Sequence, residues 1–592
     1  MADHVIEDRA QSYPPIATYS PRQDLPYKTE DGRPTTELSS VALGGQIISV
    51  SDEFFAEAFH LLLVEPAPSM KGQFGPKGAL YSGWETRRHN PTYDWCIIKL
   101  GTSGSIVGFD IDTSNFNGNE APQVSVEILH TDEKEEPLVH DSRWSEVLPK
   151  VNLGPDSRHL FKIPQSTTAS HVKLNMYPDG GIARFRVYGH VVPVFPSDVS
   201  APFDMAHVFA GGVVVYTSDQ HFGVGSNLIL PGRGKHMGDG WETKRSRQKG
   251  HKDYAIIKLG APGALEYVEL DTLHFKGNFP ESCEVHAILA SDHLPVEELY
   301  KDGGSQEWTQ ILPRTKLGPH RQHYFQLEGV AGQLYTHVKI TIHPDGGLKR
   351  VRVIGRRVAN HFPEAEPLQL TEAPSISPPP VAALNMSSAA VPTIIVPVLP
   401  LTPEAFAPFG HVVQAYGDLD AAPRGTRITP ANFGTADKFH KLAPILSSYP
   451  PGSNATPGLS VYRCKPLDNV AADRTAELTA FERHPYTNQA FIPMGKGVGE
   501  GIVDPADSYL VVVTKNGADD KPDVATIRAF LATSAQGIVY GSGVWHQPMT
   551  VLNKPLDLTC VETQIGDGST ADCEIVALDR AKQVIKLQLP SL

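Results

Sequence analysis

Acids beside tryptophans, paired bases and scattered histidines are the chemically capable residues of this chain. Glu85 lies in Gly83-Trp84-Glu85-Thr86-Arg87-Arg88, and Glu242 in Gly240-Trp241-Glu242-Thr243-Lys244-Arg245. A carboxylate next to a buried tryptophan is either solvated at a loop or held by a cation. If held, it can act as a general base or a metal ligand. Arg87, Arg88, Lys244 and Arg245 suit a substrate carboxylate, or else a solvated loop. Asp112 with Asn119, and Asp271 with Asn278, add a second polar cluster to each copy, and turn formation is the simpler role for the asparagines. His236 sits among His221, His251 and His274, without H-x-H or H-E-x-x-H spacing, so it is only a weakly signalled metal candidate. Asp179-Gly180-Gly181 and Asp345-Gly346-Gly347 read as hairpin turns and stay off the catalytic list.

A third group lies near the C-terminus. Glu482-Arg483-His484-Pro485 precedes Gln489-Ala490-Phe491-Ile492-Pro493, and Gly543-Val544-Trp545-His546-Gln547-Pro548 follows later. An acid and a histidine two apart, a nearby glutamine and a distant histidine after a strand can place N and O atoms around one point in a barrel mouth. Glu482, His484 and His546 are therefore candidates for acid–base work or for a divalent metal.

The elements that must position these residues repeat. Asp94-Trp95-Cys96-Ile97-Ile98-Lys99-Leu100-Gly101 answers Asp253-Tyr254-Ala255-Ile256-Ile257-Lys258-Leu259-Gly260, and Leu153-Gly154-Pro155 answers Leu317-Gly318-Pro319. The period of about 160 residues exceeds that of solenoids, so each copy is a domain. Val338, Ile340 and Ile342 alternate with polar residues before Asp345-Gly346-Gly347, and Val351 and Val353 alternate after it, which predicts a hairpin. Short strands and Gly, Pro and Asn turns predict antiparallel sandwiches. The expected organisation is an extended arm over 1–45, repeats over 46–196 and 197–362, a Pro/Ala/Ser-rich linker over 363–396, and a mainly β domain over 397–592 that opens with a capped helical turn at Thr402.

Bulk properties bound the rest. The chain has 592 residues, 40% hydrophobic, and a formal charge of −14, which argues against nucleic acid and anionic membranes as partners. No apolar run is long enough to span a bilayer and no signal-like N-terminus is present, so a cytoplasmic location is expected. Five cysteines without a C-x-x-C pair fit reduced thiols. A homo-oligomer is allowed, and nothing in the sequence requires one.

The doubled motifs over about 46–360 resemble allantoicase, notably Gly-Trp-Glu-Thr-Arg-Arg-His-Asn, Asp-Gly-Trp-Glu-Thr and Phe275-Lys276-Gly277-Asn278-Phe279-Pro280. The resemblance implies two jelly-roll, galactose-binding-like domains and hydrolysis of allantoate to ureidoglycolate and urea. Ser82 stands where the second copy has Asp239, which makes the second copy the better site. Residues 398–580 resemble ureidoglycolate lyase through Glu-Arg-His-Pro, Gln-Ala-Phe-Ile-Pro-Met, Asp-Lys-Pro-Asp, Arg-Ala-Phe, Val-Trp-His and Asp572-Cys573. That implies a cupin-like barrel and cleavage of ureidoglycolate to glyoxylate and urea. Gln547 replaces a second histidine common in that family, which leaves His546 as the stronger candidate.

Both substrates are ureido acids. On this reading Lys244 or Arg245 takes the allantoate carboxylate, and Glu242 with Asp271 moves protons or binds metal. Glu85 and Asp112 contribute from the first copy or only support it. In the last domain Arg463 takes the carboxylate, Asn432 the ureido group, and Gln489 lines the site. Two competing readings are a single-activity allantoicase with a decayed lyase domain, and a non-enzymatic carbohydrate-binding pair of jelly rolls.

Overall fold

The computed structural model describes residues 35–131, 135–291, 294–301, 307–358, 391–467, 470–498 and 500–590. The expected arm up to residue 34 and the linker over 363–390 lie outside the described residues. Among the described residues no helix is long and apolar enough to cross a membrane.

Each repeat is built on one 19-residue strand, Asp94–Asp112 in the first and Asp253–Asp271 in the second. Its N-terminal half pairs with Thr168–Tyr177 and Gln46–Val50, and its C-terminal half with Arg184–Val191 and Arg158–Lys162. One strand therefore belongs to both sheets of an antiparallel jelly-roll sandwich, and Ile98, Phe109, Ile111, Leu174 and Val187 fill the space between them. The second repeat uses the same pairings with Val213–Thr217, Tyr335–His343, Arg350–Arg357 and Gln322–Gln326.

The hairpin expected across Asp345-Gly346-Gly347 does not form. Tyr335–His343 and Arg350–Arg357 do not pair with each other; they pair with opposite halves of the long strand. Their alternating residues are buried as expected, with Val338, Ile340, Ile342 and Val351 fully inside. Period-2 burial reports a buried face and says nothing about which strand is the neighbour. Between them Gly347–Leu348 pairs with Trp241–Glu242, so the Asp-Gly-Gly turn holds the catalytic candidate in place. A Cβ on Gly347 would lie 2.0 Å from the Phe275 ring, so only glycine fits there.

Two margins differ from expectation. Thr36–Glu37 pairs with Tyr188 and Gly189, so residues from 36 onward pack with the first repeat. Thr393–Pro400 pairs in parallel with Val584–Gln588 and with 529–531, so residues from 393 belong to the last domain.

That domain closes two sheets of eight and five strands into a cupin-like barrel. Phe406, Phe491, Tyr509, Val511, Phe530, Tyr540, Leu558 and Cys560 fill it. The expected helical turn is present as Pro403–Phe406, with Thr402 Oγ1 accepting the Ala405 N–H at 3.3 Å.

Candidate active sites

In the second repeat, the Trp241–Glu242 strand brings Glu242 to the loop Phe275–Phe279. Asn278 Nδ2 donates to Glu242 Oε1 at 2.6 Å. Trp241 is fully buried, as expected, and its Nε1 donates to the Asp219 carbonyl at 2.8 Å. Asp271 ends the long strand, fully buried, and takes a two-pronged ion pair from Arg233 at 2.7 and 2.9 Å. Both of its oxygens are thus committed to a guanidinium.

Behind this lies a pair that the first repeat lacks. Lys349 is fully buried, and its amine contacts the Asp239 carboxylate and the His236 carbonyl. Burial, with Arg350 beside it, pushes Lys349 down to about 7, while the touching carboxylate favours the ammonium form. Lys235 N–H donates to Asp239 Oδ2 at 2.7 Å, and Arg350 donates to the Asp239 carbonyl at 2.6 Å. Gly234 has φ of +73°, and a Cβ there would sit 2.4 Å from both Asp239 Oδ1 and the Lys349 chain. The loop from Arg233 to Asp239 is therefore clamped from inside by one lysine.

In the first repeat the corresponding residues are Ser82 and Ala183, and Arg184 donates to Ser82 Oγ at 3.1 Å. Glu85 accepts from Arg88 at 2.8 Å and from Asn119 at 3.0 Å. Burial raises its pKa despite both partners. Asp112 accepts from the Ser114 N–H, also at 2.8 Å.

The other candidates fall outside these clusters. Arg87 pairs with Asp52 at 2.7 Å on the surface, and Lys244 and Arg245 are exposed. His236 Nδ1 accepts from the Gly238 N–H at 3.1 Å, capping a short 3-10 turn and leaving it unsuited to a metal role. The structure shows both asparagines, Asn119 and Asn278, as partners of the glutamates as well as turn residues.

In the barrel, Glu482, His484 and His546 each offer one atom within 4.8 Å of the others, the one such acid/histidine/cysteine group among the described residues. His484 Nδ1 donates to the Asp572 carbonyl at 2.7 Å, and His546 Nδ1 to the Val544 carbonyl at 2.9 Å. Those bonds turn both Nε2 atoms toward the cluster, buried and without a hydrogen-bond partner, with His546 Nε2 3.6 Å from Glu482 Oε1. His546 also stacks on Tyr540 at 3.9 Å. Burial raises the Glu482 pKa, but His546 and His484 outweigh it and hold the carboxyl below its usual range. Burial and His546 depress His484. Gln489 Nε2 donates to Glu562 Oε2 at 2.9 Å, and that carboxylate lies 3.7 Å from His484.

Two candidates of this domain are placed elsewhere. Arg463 pairs with Asp557 at 2.8 Å. On Leu556–Gln564 the residues Leu558, Cys560 and Glu562 point inward, so Asp557 and its cross-strand partner Arg463 face outward. Asn432 sits in an exposed turn with φ of +49° between Arg427–Ala431 and Ala436–His440.

An allantoicase-repeat family model matches residues 36–192 and again 203–358, together more than half of the chain. The chain belongs to the allantoicase family. A ureidoglycolate lyase model matches residues 393–585. A probable allantoicase of Schizosaccharomyces pombe is 50% identical over 336 residues, 56% of this chain and 95% of the relative. The allantoicase of Neurospora crassa is 47% identical, covering 55% of this chain and 92% of its own. A crystal structure of Saccharomyces cerevisiae allantoicase is 44% identical, covers 54% of this chain and 93% of that one, and superposes with a TM-score of 0.48. The two sequence similarities cover little more than half of the chain, and the segment that matches the ureidoglycolate lyase model lies beyond the length these relatives share with it.

Several residues of these sites escape a reading of motifs. Glu562 is in phase with inward Leu558 and Cys560, an acid in an otherwise apolar register, and that was the available signal. Lys349 faces Ala183 across the duplication just as Asp239 faces Ser82, and the two differences make one pair. Arg233 lies where the repeats diverge in length and leaves no such trace.

Proposed function

We propose that this chain runs two consecutive reactions, hydrolysis of allantoate to ureidoglycolate and urea, then cleavage of ureidoglycolate to glyoxylate and urea. The observation that carries the proposal is the joining of two enzyme families in one chain where the product of one is the substrate of the other. Tethering raises the local concentration of the second enzyme.

The second repeat is the hydrolytic one on this reading. Glu85 is already occupied by Arg88 and Asn119, whereas Glu242 holds a single hydrogen bond from Asn278 and is half-buried. Glu242 takes a proton from water and returns it to the departing ureido nitrogen as water replaces urea at the tetrahedral carbon. Arg233, held by Asp271, supplies positive charge for the substrate carboxylate, and exposed Lys244 and Arg245 draw the anion in. Asp271 thereby acts through Arg233.

In the barrel, His484 or His546 accepts the hydroxyl proton of ureidoglycolate at Nε2. The C–N bond breaks, the nitrogen is protonated, and the hydroxyl carbon becomes an aldehyde. Two Nε2 lone pairs and a carboxylate also fit a divalent ion, which Glu482, His484 and His546 would hold; bound there it would polarise a substrate oxygen. A product time course on allantoate tests the whole reading. Two ureas and one glyoxylate per allantoate are expected. One urea with accumulating ureidoglycolate would leave a single-activity allantoicase.

A further inference from the structure

The loop that presents Asn278 to Glu242 is gripped by the other enzyme. Lys276, two residues before Asn278, pairs with Asp418 at 2.7 Å and with Asp420 at 3.5 Å, both from the C-terminal domain. His320 Nε2 lies 3.9 Å from the same Asp418 carboxylate. Arg424 stacks its guanidinium 5.3 Å from the Phe279 ring centroid, one residue past Asn278. Arg321, next to His320, stacks on Tyr416 at 5.2 Å. From below, the Asn278 carbonyl accepts the Gly347 N–H at 2.9 Å, and Gly346 packs against Asn278 and Phe279.

The contact is anchored more deeply alongside. Glu404, on the short helix Pro403–Phe406, is buried against the Leu317-Gly318-Pro319 loop, 3.5 Å from Arg321 and 3.8 Å from His323. That loop is fixed to its own sandwich, since Gly318 N–H donates to His323 Nε2 at 2.8 Å and His323 Nδ1 donates to the Leu270 carbonyl at 3.0 Å. Arg528 reaches Glu328 at 2.7 Å on the far side of the junction. The first repeat closes its equivalent turn by itself. Asn117 N–H donates to Asn119 Oδ1 at 3.0 Å, and Gly118 N–H donates to Glu120 Oε2 at 2.6 Å. In the second repeat Phe279 stands where the first has Glu120, so that side-chain acceptor is missing, and the external brace from 416–424 lies over the turn.

We infer that the segment Tyr416–Arg424 of the lyase domain is a positioning element of the allantoate site in the second repeat, holding the 275–279 turn so that Asn278 stays on Glu242. The inference rests on the assignment of that site to Glu242. It makes the hydrolase a client of the domain that consumes its product.

Charge reversal in the full chain tests it. Lys276→Glu should raise KM for allantoate about three- to fivefold, in line with a partly exposed ion pair, while ureidoglycolate cleavage keeps its kinetics. Lys276→Glu combined with Asp418→Lys should recover most of the loss, which a merely disturbed surface would not do. Glu242→Gln serves as the control. If Glu242→Gln is inactive and Lys276→Glu keeps wild-type KM and kcat, or the double variant shows no recovery, the bracing inference is overturned. If Glu242→Gln retains full activity, the assignment of the site itself fails.

Discussion

The buried Asp239–Lys349 pair permits a worked double-mutant cycle. Asp239→Ser and Lys349→Ala each import the residue of the first repeat, and together they rebuild its Ser82/Ala183 pair. Asp239→Ser strands a lysine that is fully buried. Removing one partner of a buried pair costs about 3–5 kcal/mol, and the Asp239 side chain is 29% exposed, so the low end, about 3 kcal/mol, is expected. Lys349→Ala should cost less, about 1–2 kcal/mol, because Asp239 can turn toward water and keeps the Lys235 N–H. The double variant should recover about 2 kcal/mol of the sum. The assay is thermal loss of allantoate hydrolysis in the full chain, which follows the second repeat even where other domains melt separately. Asp239→Ser should also lower the hydrolysis rate, because the loop it anchors carries Arg233 to Asp271. Strict additivity, or a cost for Asp239→Ser no larger than a surface change, would refute the claim that this pair clamps the loop.

Four further outcomes are expected. Glu242→Gln should lower allantoate turnover at least a hundredfold while Glu85→Gln lowers it less than tenfold, measured as urea release. His546→Ala should abolish glyoxylate formation and spare allantoate loss, giving one urea per allantoate. Arg463→Ala should leave ureidoglycolate cleavage within about threefold of wild type, since its side chain faces away from the inner wall, and a loss beyond a hundredfold would place it in the site after all. Burial pushes Asp204 up to about 6. Between its unfolded value and that one the folded chain binds the extra proton, so its stabilising contribution is lost as pH rises. Asp204→Asn should therefore gain melting temperature relative to wild type between pH 4 and pH 7.

Much of this was readable from the chain because repetition separates signal from accident. The doubled Trp-Glu-Thr marked both short strands that carry a glutamate, and the Ser82/Asp239 difference marked the two copies as non-equivalent. What the sequence hid was partnership across distance. The Asp-Gly-Gly motif looked local, yet its neighbours pair with a strand roughly 80 residues upstream, because alternation records burial and omits the partner. Arg463 looked suitable by type, and one step of strand register turned it outward. Asn432 suits a ureido group by its chemistry, but it sits on an exposed turn.

The long strand shared by both sheets has a consequence for synthesis. Thr36 pairs with Gly189, and Asp112 with Arg184, so the first sandwich cannot close until its last strand has left the ribosome. Such distant pairings carry a large closure entropy and slow assembly. Once Arg184–Val191 is out, however, every strand of the first repeat is available. That repeat can finish folding while the second is still being translated, before its near-copy offers strands that would fit the same places.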